Sequence, residues 1–162
     1  MSRVLIAFLV LLLMAACAAP PARIPTGSHD RSSGDISDVV VRVNRLRAEV
    51  GRGSLSAHAA LTRAARDHVQ DMITNQFFGH FGVDGSLVGD RVRRWGYDWC
   101  AIAENIARGP SGLTEVLESW MASPSHRANI LAGDFVHLGL YRGGQDHWVM
   151  VLGQNGCLHE TP

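Results

Sequence analysis

Four short stretches hold most of the side chains able to do chemistry. They are Phe78-Gly79-His80-Phe81-Gly82, Ala103-Glu104-Asn105-Ile106-Ala107, the run from Trp120 to Leu131 that contains Ser123-Pro124-Ser125-His126-Arg127 and Asn129, and His137-Leu138-Gly139-Leu140-Tyr141. Imidazole and carboxylate side chains bind borderline divalent ions such as zinc and exchange protons near neutral pH. No compact metal motif is present, because the histidines are far apart in sequence and any convergence must come from the fold. Taken singly, each histidine reads as a surface or hydrogen-bonded structural residue. No activated nucleophile is evident: Ser86, Ser111, Ser119, Ser123 and Ser125 lack a G-x-S-x-G setting. Asn105, beside Glu104, reads as a residue that satisfies backbone groups.

The elements that must position these stretches follow from periodicity. Ile36, Val39, Val40, Val43 and Leu46 fall on one helical face, with Asp35 or Ser37 available as N-cap and Gly51 as terminator. A second helix is expected from Ser56 to Asn75, its apolar face carrying Leu61, Ala65, Val69 and Met72. His68 lies on the inner edge of that face and reads as a core histidine satisfied by a backbone group. A third helix is expected from Thr114 to Ala122, ended by Ser123-Pro124, after which Pro124 can start a short helix carrying His126 and Arg127. The runs Phe135 to Tyr141 and His147 to Leu152 read as a hairpin, and Cys100 to Ala107 as a further strand. Helices first and strands late indicate an α+β layered domain. Trp95, Trp99, Trp120 and Trp148 read as core or cleft-wall residues.

Arg3 followed by the apolar run Val4 to Met14 and the small residues up to Ala19 has the order of a secretory signal peptide, placed over residues 1–18. The run is too short for a transmembrane helix, which needs about 20 apolar residues. Met14-Ala15-Ala16-Cys17 resembles a bacterial lipobox, so cleavage before Cys17 and lipidation of that cysteine are preferred over ordinary cleavage after Ala18. The chain has 3 cysteines. Setting Cys17 aside leaves Cys100 and Cys157 as a pair that an exported domain can keep oxidised, worth about 4 kcal/mol in the chain-entropy model; the alternative is two buried free thiols. Residues 17–34 are rich in Pro, Ser and Gly and read as a flexible tether. Residues 35–160 then form one folded domain, since about 125 residues support a single core. Lys+Arg and Asp+Glu both number 15, a balance that gives no support to a nucleic-acid or acidic-lipid partner.

The four stretches, in this order and with these separations, resemble the CAP superfamily of cysteine-rich secretory proteins, antigen 5 and pathogenesis-related proteins, and most closely its bacterial SCP-like exported domains. The likeness begins at Asn44-Arg45-Leu46-Arg47 and Gly51, continues through Leu55, Ala65, His68 and Met72, and ends at Trp148. It implies a three-layer α-β-α sandwich with a small antiparallel sheet. It also implies a surface cleft lined by His80, Glu104 and His126, with Glu118 as a weaker candidate for a second acid. Two imidazoles and a carboxylate would suit a divalent metal such as zinc, or Glu104 could hold a histidine in one tautomer. The preferred expectation is a non-catalytic, envelope-associated module binding a metal, peptide, glycan or lipid. The alternative is a metal-assisted hydrolase with His80 and His126 as ligands and Glu104 as base.

Overall fold

The structure, a computed structural model, describes residues 31–144 and 146–156. Nine elements follow one another: α1 (Arg31–Ala48), β1 (Ser56–Ala57), α2 (Ala59–Thr74), α3 (Val88–Arg94), β2 (Trp99–Arg108), α4 (Leu113–Ala122), α5 (Pro124–Leu131), β3 (His137–Gly143) and β4 (His147–Asn155). The strands form one sheet in the order β1-β3-β4-β2. The hairpin β3–β4 and the pair β2–β4 are antiparallel, as expected, whereas β1 adds to β3 in parallel, Ser56 against His137 and Ala57 against Leu138. Among the described residues no helix is long and apolar enough to cross a membrane.

Strand alternation decides which layer each side chain joins. From one face Leu138, Leu140, Trp148, Met150 and Leu152 pack with Val39, Val43, Val116, Trp120 and Ile130 of α1, α4 and α5. From the other, Ile106, Val149 and Val151 pack with Leu61, Ala65, Val69 and Met72 of α2 and with Val92 of α3. The three-layer α-β-α sandwich is thus built from two apolar clusters, one on each side of the sheet. Full burial of each large aliphatic side chain contributes about 1.5–3 kcal/mol.

Several boundaries differ from expectation for local reasons. α1 begins at Arg31, inside the stretch read as tether, so neither Asp35 nor Ser37 caps it. α2 begins three residues later than Ser56, because Ser56 and Ala57 are taken by β1 and the side chain of His58 caps the helix, its Nδ1 accepting from the Ala60 amide at 3.2 Å. α3 has no counterpart in the sequence reading, being a 7-residue helix with few apolar positions. The signal segment, Cys17 and Cys157 lie outside the described residues; Cys100 Sγ sits 3.4 Å from the Gln154 carbonyl oxygen.

Two close approaches hold the layers in register. A Cβ on Gly139 of β3 would come within 2.3 Å of the Leu61 and Thr62 backbone, so α2 lies directly on the strand. On the other face the buried guanidinium of Arg47 donates to the carbonyls of Gly53, Ile130, Ala132 and Phe135, tying the end of α1 to the end of α5.

Candidate functional site

β2 is an edge strand of the sheet, packed against α3 and α5. Glu104 shares the phase of Ile102 and Ile106 and faces α2 and α3, while Asn105 faces α5. Asn105 donates to the His126 carbonyl at 3.0 Å and accepts from Asn129 at 2.8 Å; Asn129 also reaches the Glu104 carbonyl at 3.5 Å. Asn105 thus holds α5, and with it His126, against the strand edge. Pro124 opens α5 and so sets His126 in its first turn.

His80 reaches Glu104 from the loop after α2. The helix ends with Gln76 in the left-handed region, φ 55, and the Phe77 amide returning to the Met72 carbonyl at 3.1 Å. The loop that follows is pinned from inside. Val83 donates to Asp71, Ser86 to Asp84 and Leu87 to Asp90, while Arg91 donates to the carbonyls of His80 and Ser86. His80 Nδ1 lies 2.9 Å from Glu104 Oε1. The His80 side chain is 49% exposed against 3% for that of Glu104, so the imidazole stands between a buried carboxylate and solvent.

Both oxygens of Glu104 are engaged. Oε2 accepts from Arg91 at 2.7 Å, and the Arg91 side chain is itself only 5% exposed. Oε1 takes His80 and lies 3.8 Å from His68 Nε2. His68 is fully buried and donates Nε2–H to the Gly79 carbonyl at 2.8 Å, the backbone satisfaction expected of it, and its Nδ1 has no hydrogen-bond partner. Burial works against the charged form of Glu104, yet the His80 hydrogen bond and the charges of Arg91 and His68 outweigh it and hold the carboxyl below its usual range. The same hydrogen bond, donated by His80 to Glu104, raises His80 above the ordinary histidine value, against burial. His126 is moved the other way, first by burial and then by the charge of His80 close by. His68 is also lowered, chiefly by burial.

His80 and Glu104 are therefore bonded, and His126 lies near enough to His80 for their charges to repel. Glu118 is elsewhere: it lines a groove of about 310 Å³ with Arg42, Leu46 and Leu117 between α1 and α4, apart from the Glu104 network. Glu115 accepts from the amide and hydroxyl of Ser111 and closes the turn before α4. Arg91 escaped the sequence reading. Among Arg93 and Arg94 it looks like part of a solvated basic run, and only its place beside buried Gly89 and Val92 on α3 marks it as inward-facing.

Among the described residues no three His, Cys, Asp or Glu side chains are arranged to hold a metal ion together. The donor chemistry sorts these residues into two kinds. His80 is half-exposed with its Nδ1 on Glu104, whereas Glu104 is buried behind it with both oxygens occupied.

Comparison with known proteins agrees with this architecture. Over 102 residues the chain is 33% identical to the protein YkwD of Bacillus subtilis (strain 168), a match covering 63% of this chain and 40% of YkwD. It is 29% identical over 97 residues to the membrane protein YlbC of the same organism, covering 60% of this chain and 28% of YlbC. The chain thus spans less than half the length of these curated relatives. Its fold matches an outer surface protein of Borrelia burgdorferi with a TM-score of 0.71 at 21% identity, covering 77% of this chain and 96% of that one. It also matches an extracellular SCP-domain protein of Bacillus anthracis str. Ames with a TM-score of 0.72 at 24% identity, covering 76% and 41% of the two chains. The model of the Cysteine-rich secretory protein family, CAP, matches residues 40–154, and this chain belongs to that family.

Proposed function

We propose that this chain is an exported, envelope-associated CAP-domain protein whose His80 and His126 form a non-catalytic cleft for a divalent metal ion such as zinc or an envelope peptide, glycan or lipid. The observation that carries this reading is the locked carboxylate: Glu104 is bonded to Arg91 on one oxygen and to His80 on the other. A carboxylate held in this way orients the His80 ring and is not free to act as a general base, which weighs against the hydrolase alternative. Export accords with the apolar leader at residues 4–14 and with the surface or extracellular description of the similar structures. Membrane attachment through a lipidated Cys17 and a Cys100–Cys157 bridge belong to the same reading.

The test is zinc titration calorimetry on the mature wild-type chain and on His80→Ala, His126→Ala and Glu104→Gln. Each histidine variant is expected to lose binding, and Glu104→Gln to weaken it about 10–100-fold, as loss of an orienting partner does. Unchanged zinc affinity in both histidine variants would remove the metal form of the proposal. Metal-dependent turnover of peptidoglycan or peptide substrates that vanishes in Glu104→Gln would replace it with the hydrolase.

A further inference from the structure

Phe78, Phe81, Val83 and Leu87 are four of the eight large apolar side chains exposed among the described residues, and all four lie in the one loop that carries His80. Phe81 is 65% and Val83 69% exposed. Isolated apolar residues on a surface need no explanation, but this concentration in ten residues does. The loop is not loose. Its amides at Gly82, Val83, Gly85, Ser86 and Leu87 all donate within the domain, and its carbonyls at His80, Gly82 and Ser86 all accept. Half of its ten amides are thus satisfied inside the domain, which fixes the loop's shape, and it directs apolar side chains outward.

The surroundings match one kind of apolar phase. Val83 and Asp84 line the same depression as Asp67 and Arg94, so the loop is continuous with the outer surface of α2 and α3. Trp95 sits there, 36% exposed, its indole N–H donating to Asp67 at 2.8 Å, with the guanidiniums of Arg63 and Arg66 over its ring. Arg94 pairs with Asp84 at 2.8 Å, and Arg93 lies over Trp99. The acids on this surface are tied up: Asp67 by Arg66 and Trp95, Asp71 by Val83 and Asn75, Asp84 by Ser86 and Arg94, and Asp90 by Leu87. Apolar tips beside an indole and arginines whose stems can lie along the boundary are the composition of a surface that sits at a bilayer interface.

We infer that the loop 78–87, with Trp95 and the arginines around it, docks the domain onto a phospholipid bilayer. This rests on the reading that Cys17 is lipidated, since an acyl group there, a short stretch of chain before Arg31, would keep the domain near the membrane surface. A weak docking face acts strongly under such confinement, because the tether raises its effective concentration at the bilayer. Docking would also place His80 at the level of the lipid headgroups.

The test uses the mature chain with Cys17→Ser, so that no acyl group contributes, and vesicles of phosphatidylethanolamine and phosphatidylglycerol in a sedimentation assay. The wild-type domain is expected to partition onto them. Phe81→Ser with Val83→Ser is expected to lower partitioning at least tenfold, and Val83→Ser alone severalfold, with thermal melts unchanged. Val41→Ser with Val50→Ser, which removes exposed apolar groups elsewhere, is expected to leave it intact. No partitioning of the wild type, equal loss in the Val41/Val50 control, or self-association that the loop substitutions abolish would each overturn the inference. The tether has its own readout: an unmodified Ala19 start by mass spectrometry would remove the anchor, while wild-type partitioning in this assay would still uphold the docking face.

Discussion

The guanidinium of Arg91 closes on Glu104 at 2.7 Å, with both side chains at least 95% removed from solvent. The pair joins a short helix to the edge strand and holds the carboxylate on which His80 depends. Arg91→Ala would leave a buried charge without its partner, and a loss of about 3–5 kcal/mol is expected in urea denaturation. Glu104→Gln in the Arg91→Ala background should recover part of that loss, since the stranded charge is gone. A double variant no more stable than Arg91→Ala alone would show that the guanidinium matters mainly through its bonds to the His80 and Ser86 carbonyls.

His80 and His126 should titrate apart. Glu104 raises His80 above the ordinary histidine value, while burial and the nearby His80 lower His126. As pH falls, His80 is expected to take its proton first, and Glu104→Gln should bring its titration down. Imidazole carbon-proton shifts followed by NMR read both. The sign for stability follows from linkage. A raised folded value at His80 adds stability that is complete below the unfolded histidine value and is lost as pH rises through the folded one. A lowered folded value at Glu104 adds stability present above the unfolded glutamate value and lost as pH falls through the folded one. The wild type should therefore gain most over Glu104→Gln between the ordinary carboxylate and histidine ranges, with the advantage shrinking on either side. His126 titrating at or above His80 would contradict this ordering.

How far the sequence reveals such a site depends on how each contact is encoded. The apolar faces of α1, α2 and α4 and the two hairpin strands are periodic signals, and these elements appear where periodicity places them, within a few residues. α3 and β1 carry no such signal: one turns on capping by Asp90 of the Leu87 amide, the other on two residues pairing with β3. The bond between His80 and Glu104 spans 24 residues and becomes visible only through likeness to a family. Arg91 is hidden for the opposite reason, because its charge type suggests solvent while its helical position turns it inward. Glu118, a weaker candidate implied by the family likeness, lines the groove between α1 and α4, because which neighbour a helix face meets is set by tertiary packing and not by its place in the chain.

The turn that launches the His80 loop stores a small strain. Gln76 occupies the left-handed region at φ 55, where a side chain costs roughly 1 kcal/mol relative to glycine. Gln76→Gly is therefore expected to stabilise the domain by up to about 1 kcal/mol in thermal or urea melts, with the His80 titration unchanged. A destabilised variant would mean that the glutamine side chain contributes more than its backbone strain costs.

Gly139 offers the most demanding check of the layered packing. A Cβ there would lie 2.3 Å from both Leu61 C and Thr62 N, and 2.6 Å from Leu61 Cβ, distances at which no rotamer change gives relief because the obstacle is helix backbone. α2 would have to lift from β3, and the same helix carries His68 under Glu104 and ends in the turn before His80. Gly139→Ala is therefore expected to cost about 3 kcal/mol or more, at the upper end of overpacking penalties. The loss should appear together with a shift in the His80 titration toward its ordinary value, as the loop moves with the helix. Gly112→Ala provides the comparison, since a Cβ at Gly112 meets nothing within 4 Å and its φ of -155 is extended backbone open to any residue. If Gly139→Ala melts with the wild type, α2 does not lie on β3 at this distance, and the positioning of His80 from that helix would have to be rebuilt.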